Sequence, residues 1–203
     1  MKKTILVLVM IALVFSCSSD DGNVQGAADE FDGSLESVED FFSPELVEAL
    51  LDLGFIINTG DNPPNLEGVY FSSPVVLEAS SVPSDVIGTT FLDYTSEFSN
   101  QDNSTLTLDF VGSQQSVQSD EGFGTFVSGD GDLFSVYLKT TTTIGSFDAE
   151  SALAISGRMT QDGIEDFKIA FFMLNDNGDP EEVYIENNTG RLLYDSDEFS
   201  PRQ

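Results

Sequence analysis

The 203-residue chain has no histidine, no tryptophan and one cysteine, and it sets seven lysines and arginines against 36 aspartates and glutamates. Each shortage excludes something. Without histidine there is no Ser-His-Asp or Cys-His nucleophile and no imidazole-held metal. Neither a Gly-x-Ser-x-Gly elbow nor a phosphate-binding glycine loop occurs. A lone cysteine leaves no disulfide. The formal net charge of -29 argues against a nucleic-acid partner, because phosphates need basic side chains to neutralise them. Anionic lipid headgroups are disfavoured on the same ground. No catalytic residue is assigned, and the chain is expected not to be an enzyme.

Long apolar runs are scarce too. The one present, "ILVLVMIALVF" from Ile5 to Phe15, follows Lys2 and Lys3. Its helix would rise only about 16 Å, roughly half of a bilayer's hydrocarbon core, which makes a poor permanent span. A basic start and a short apolar run read as a signal peptide over residues 1–16. The run stops at the only cysteine. Cys17, with Ser16 before it and Val14 three residues back, resembles the lipobox of bacterial lipoproteins. That resemblance implies a diacylglycerol on the cysteine sulfur, cleavage just before it and anchoring to membrane lipid. Two or three acyl chains hold a protein on a membrane where one anchors marginally. The small, acidic stretch that follows reads as a flexible tether over residues 17–33. Its Ser18, Ser19, Asp20 and Asp21 resemble the export signal of Bacteroidetes-type lipoproteins, which implies an outer-membrane protein facing the cell surface.

What the mature chain does contain is a packed domain: 40% hydrophobic residues, 17 of the residues being phenylalanine. Residues 34–54 form a helical segment, with Ser43 as N-cap, Pro44 at the first helical position and Gly54 as a stop. Its stripe is Leu46, Val47, Leu50 and Leu51. Residues 55–66, with paired prolines, are coil. From residue 67 to 203 short strand-like runs alternate with turn formers, among them "EGVYFSSP", "STLTLDFVG", "DLFSVYLKTTTT", "IEDFKIAFFML", "EVYIE" and "RLLYD". Leu106, Leu108 and Phe110 alternate with Thr105, Thr107 and Asp109, and Phe134, Val136 and Leu138 with Ser135 and Lys139, as in half-buried strands. "FKIAFFML" is apolar on both faces, as a strand covered by another element should be. Short connections favour antiparallel neighbours. The expected fold is mainly β: an antiparallel β-barrel of about eight to nine strands behind a short N-terminal helix, with a β-sandwich as the alternative.

"EGVYFSS", placed after a helix and a coil, resembles the opening strand of calycin or lipocalin-like barrels, where Gly-x-Trp closes the floor. Gly68 and Tyr70 hold those places here, with Tyr for Trp, and the resemblance implies a late-strand arginine, for which Arg191 is the candidate. Two stretches superficially resemble calcium loops. "NDNGDPEEVYIE" sets Asn175, Asn177, Asp179 and Glu186 at ligand spacing, but Pro180 stands where glycine is required, and Asn177-Gly178 reads better as a hairpin turn. "SGDGDLF" is read as a turn as well. No cofactor or metal site is expected beyond weak Ca2+ binding by the acidic surface. Phe91, Phe98, Phe110, Phe126, Phe134 and Phe171 either line an apolar cavity or fill a core. The leading expectation is a membrane-anchored barrel that binds a small apolar or neutral ligand. A solid structural or adhesive surface module is the second, and a carboxylate-based hydrolase the third.

Overall fold

A computed structural model describes residues 31–115, 117–179 and 182–203, with the backbone alone at 123 and 124. Cys17, Ser18, Ser19, Asp20 and Asp21 lie outside the described residues. Two helices come first, α1 (Leu35–Phe42) and α2 (Pro44–Asp52). The single helical stretch expected here is broken at Ser43, whose φ is 107°. Its N–H still closes onto the Glu39 carbonyl, while its Oγ accepts from Leu46 N–H at 3.3 Å and starts the next helix. Together the helices bury Val38, Phe42, Val47 and Leu50. No helix among the described residues is long and apolar enough to cross a membrane.

Among the described residues eleven strands form one sheet. They are β1 (Asp61–Asn62), β2 (Gly68–Ser72), β3 (Val75–Ser80), β4 (Tyr94–Asp102), β5 (Thr107–Gln114), β6 (Gln118–Asp130), β7 (Leu133–Ile144), β8 (Phe147–Met159), β9 (Gly163–Asn175), β10 (Gly190–Asp195) and β11 (Phe199–Pro201). The ladder runs β2-β4-β5-β6-β7-β8-β9-β10-β3; β1 adds to β6 and β11 to β9. From β4 to β10 each strand pairs antiparallel with the next in sequence, through short turns everywhere except between β9 and β10. The first and last strands of this ladder, β2 and β3, are separated in the chain only by Ser73 and Pro74. Tyr70 of β2 also bridges to Arg202, just past β11.

Each face of the sheet is buried in its own way. On one, Tyr70, Leu77, Phe98, Phe110, Phe134, Leu138, Leu153, Phe167 and Ile169 belong to a single apolar cluster. On the other, Tyr137, Ala152, Ala154, Ala170 and Phe172 pack under α1 and α2. This is why "FKIAFFML" is apolar on both faces: Phe167 and Ile169 face one cluster, Ala170 and Phe172 the other. Of the candidate aromatics, Phe98, Phe110 and Phe134 fill the first cluster and Phe91 and Phe171 pack at its margin, while Phe126 stacks on Phe31 beneath the helices at 4.4 Å.

Three strand readings need correction. Leu106 does not continue the row of Leu108 and Phe110; its φ of 52° turns it into the cluster under the helices. Ser135, expected on a solvated face, is buried, donating to the Ile56 carbonyl and accepting from Asn58 N–H at 2.9 Å. "EVYIE" is not a strand. It lies in the long β9–β10 connection, where Tyr184 N–H bonds to the Asp179 carboxylate at 2.6 Å and not to a neighbouring strand. That connection does contain the Asn177-Gly178 turn, both residues having positive φ of 56° and 79°.

The seam between β2–β3 and β10–β11 carries a buried polar knot. Asp195, 1% exposed, accepts from Ser200 Oγ at 2.7 Å and from Ser73 N–H at 3.3 Å, and Ser200 Oγ lies 2.7 Å from Ser72 Oγ. Burial pushes the Asp195 carboxyl up to about 6, with Asp197 close by adding to the effect.

Candidate binding site at one end of the sheet

The antiparallel order brings the starts of β4, β6 and β10 to the same end as the finishes of β5, β7 and β9. There a cleft of about 80 Å³ is lined by Tyr94, Gln118, Asp120, Ile144, Ile169, Phe171, Met173 and Arg191, with Val183 and Ile185 from the β9–β10 connection. The connection is tied down by Tyr184, whose hydroxyl is directed at the carbonyls of Thr142 and Phe147 and accepts from Ile144 N–H at 3.2 Å.

At the inner limit of the cleft sits Asp120, 0% exposed. Three donors converge on it: Tyr94 hydroxyl at 2.9 Å, Thr142 Oγ1 at 2.8 Å, and Gln118 Nε2 shared between both oxygens at 3.1 and 3.3 Å. Burial raises the Asp120 carboxyl above its usual range despite these donors, and burial followed by the Asp120 charge holds the Tyr94 hydroxyl well above its own. Tyr94 fits because β5 has Gly112 beneath it, where a Cβ would overlap the Tyr94 hydroxyl.

The one cation lining the cleft among the described residues is already committed. Arg191 makes a bidentate pair with Asp85, Nε to Oδ2 at 2.7 Å and an Nη to Oδ1 at 2.8 Å, and lies over the Phe91 ring. The pair holds the Asp85 carboxyl below its usual range. Outside the cleft, and sharing Val183, Tyr184, Ile185 and Arg191 with it, opens a wider cavity of about 450 Å³. Its rim adds Asp176, Asp179, Glu182 and Glu186.

The opposite end of the sheet holds Gly68 and Tyr70, and the structure does not bring Arg191 to them. The cation there is Arg202, whose Nη2 donates to the Tyr70 hydroxyl at 2.6 Å and whose guanidinium carbon stands 5.3 Å from the ring centre. The same hydroxyl donates to the Leu66 carbonyl at 2.9 Å. A Cβ on Gly68 would stand 3.3 Å from both the Arg202 Cζ and the Tyr70 hydroxyl, so the close approach needs a glycine.

Sequence reasoning missed Asp120 and Arg202. Asp120 is one acid among 36 in a polar run without apolar alternation, so nothing local marks it. Arg202 sits in a Pro-Arg-Gln tail that reads as coil, and only its lateness in the chain could have pointed to it. Among the described residues no group of three or more acids or cysteines could hold a metal ion. Compared with protein-family models, curated protein sequences and solved structures, the chain matches none.

Proposed function

We propose that the chain is a lipoprotein of the cell envelope, anchored through Cys17 at the outer membrane with its domain facing the cell surface, and that its sheet closes into a calycin-like barrel binding a small, largely apolar ligand at the mouth. Support for closure is the pairing of β2 and β3, adjacent in the chain, with opposite ends of the ladder. In such a barrel Gly68, Tyr70 and Arg202 plug the floor, the helices lie outside, and the cleft at Asp120 is the open end.

The observation that carries the binding reading is the cleft itself. Apolar walls end in a hydrogen-bonded polar group beneath a latched loop, and this small cleft opens into the outer cavity of about 450 Å³; together they have the composition and room of a small-molecule site. Asp120 is the one carboxylate lining the cleft among the described residues, an arrangement that supports binding over two-carboxylate hydrolysis there. Below the cleft the apolar face is packed solid: Tyr70, Phe98, Phe110, Phe134 and Phe167 are all under 2% exposed. That packing confines a ligand to the mouth, and it favours a solid surface module as the second reading.

Native mass spectrometry of the full-length protein, purified from its own host without denaturation, tests the first reading. A retained small molecule of reproducible mass is the expected result, and a bare, diacylated protein in every preparation would favour the second. Acylation is checked on Cys17→Ala, which should lose lipid labelling entirely.

A further inference from the structure

The polar side chains of the cleft are one-sided. Asp120 is buried with three donors around it but no cation, and Arg191, the nearest basic residue lining the cleft, is neutralised by two hydrogen bonds to Asp85. Gln118 spends its Nε2 on the carboxylate and leaves its Oε1 as a further acceptor. An ionised carboxylate has about four lone-pair sites, but Asp120 is 0% exposed, so a further donor reaches it by displacing the Gln118 amide, whose shared contacts at 3.1 and 3.3 Å are the longest of the three. The walls that approach it are aromatic or aliphatic, namely Tyr94, Phe171, Ile144 and Ile169. The route in is acidic as well. Asp176, Asp179, Glu182 and Glu186 rim the outer cavity, and the buried Asp179 Oδ1 has no hydrogen-bond partner among the described residues.

A buried carboxylate without a counter-charge is unfavourable, and either a proton or a cation relieves it. A single carboxylate is a poor site for a bare metal ion, which needs several oxygen ligands. It suits a monovalent ammonium, which brings three donors of its own and, on an apolar stem, fills the walls. Field lines in a cleft rimmed by one sign of charge would concentrate such a cation at the opening.

We infer that the mouth site takes a small organic cation, an amine with an apolar or aromatic body, its ammonium seated on Asp120 in place of the Gln118 amide and its stem between Phe171, Ile169 and the β9–β10 connection. This rests on the binding reading above and gives it a ligand class. An amine stabilised by a partly desolvated carboxylate gains more than a neutral alcohol of equal shape, and a carboxylate ligand is repelled.

The test compares three probes of one shape on the full-length protein in neutral detergent: 2-phenylethylammonium, 2-phenylethanol and 3-phenylpropionate. Affinities come from calorimetric titration, and the methyl NMR signals of Ile144, Ile169 and Ile185 report whether the probe is in the cleft. The expected result is that the ammonium binds about tenfold or more tighter than the alcohol, with those methyl signals shifting, while 3-phenylpropionate leaves them unmoved. In Asp120→Asn, an isosteric change, ammonium and alcohol should converge. Glu182→Gln with Glu186→Gln, both exposed, should weaken the ammonium a few-fold at low salt only. The three-probe comparison needs no variant, so it decides even if Asp120→Asn fails to fold. Equal binding of alcohol and ammonium at the same methyls would overturn the cation inference and leave the binding site standing. No shift with any of the three would overturn both. Calcium chloride displacing the ammonium at matched ionic strength would replace the amine with a metal.

Discussion

Two residues show how much a single buried group decides in this molecule. Tyr70 and Asp195 lie where the chain's strands meet at the seam, one accepting from Arg202, the other knotting Ser73 and Ser200. Neither pairing is written in local pattern, since Arg202 and Ser200 belong to a tail of no apolar period. That Gly68 and Tyr70 lie on a strand after helix and coil was legible, whereas the arginine beside them, Arg202 and not Arg191, was not. Asp195 has a consequence that can be measured. Its folded carboxyl is raised to about 6 from 3.8, so the folded chain keeps this proton after the unfolded chain has released it. The stability it contributes is therefore full below about pH 3.8 and is lost as pH rises toward about 6. Asp195→Asn stays neutral throughout and removes that loss. Denaturant titrations at steps from pH 3.5 to 7 should show wild type losing stability relative to the variant across this window. Difference curves that run parallel from end to end would show that Asp195 is not the group.

At the scale of elements, turn and cap chemistry were the most legible. Asn177-Gly178 turns as its residues require, and Ser43-Pro44 begins a helix. What the pattern could not show was that the same Ser43 also ends a helix, with a φ of 107° between two turns whose Phe42 and Val47 are buried in one cluster. Pro74 and Pro83 bracket β3, yet its pairing with β10 needs only the residues between them. "EVYIE" has strand composition, but its Val183 and Ile185 line a cleft, so tertiary position overrides propensity there. Ser43 separates two effects usually confounded. Alanine loses the cap to Leu46 and meets the positive φ, which should cost about 1–3 kcal/mol in all. Glycine also loses the cap but accepts the backbone, so Ser43→Gly should be the milder of the two. Equilibrium denaturation of both variants checks this, and an alanine variant as stable as the glycine one would mean the backbone there relaxes freely.

For the whole molecule, charge is the dominant fact, and the sequence alone made it legible. A formal net charge of -29 must be accommodated on a surface where, among the described residues, only Arg158, Lys168 and Arg191 stand within ion-pairing distance of a carboxylate. Lys139 lies instead over the Phe41 ring and Arg202 over Tyr70. Salt therefore has little attraction to weaken and much repulsion to screen. The Debye length falls from about 30 Å at 0.01 M to about 10 Å at 0.1 M, the scale on which carboxylates on one small domain are spaced. Unfolding spreads those charges apart, so screening stabilises the folded chain more than the unfolded one. The melting temperature should climb steadily from 10 mM to 500 mM sodium chloride, by about 2–4 °C for each kcal/mol of repulsion relieved. Potassium chloride should act the same, because the effect is of ionic strength and not of a bound ion. Sulfate must be avoided, since it stabilises folded proteins by exclusion from their surface whatever their charge. A melting temperature flat across the chloride series would mean that the acidic side chains are spaced widely enough to ignore one another, and the low-salt advantage expected for a cation at the rim of the cleft would then have to come from Asp120 alone.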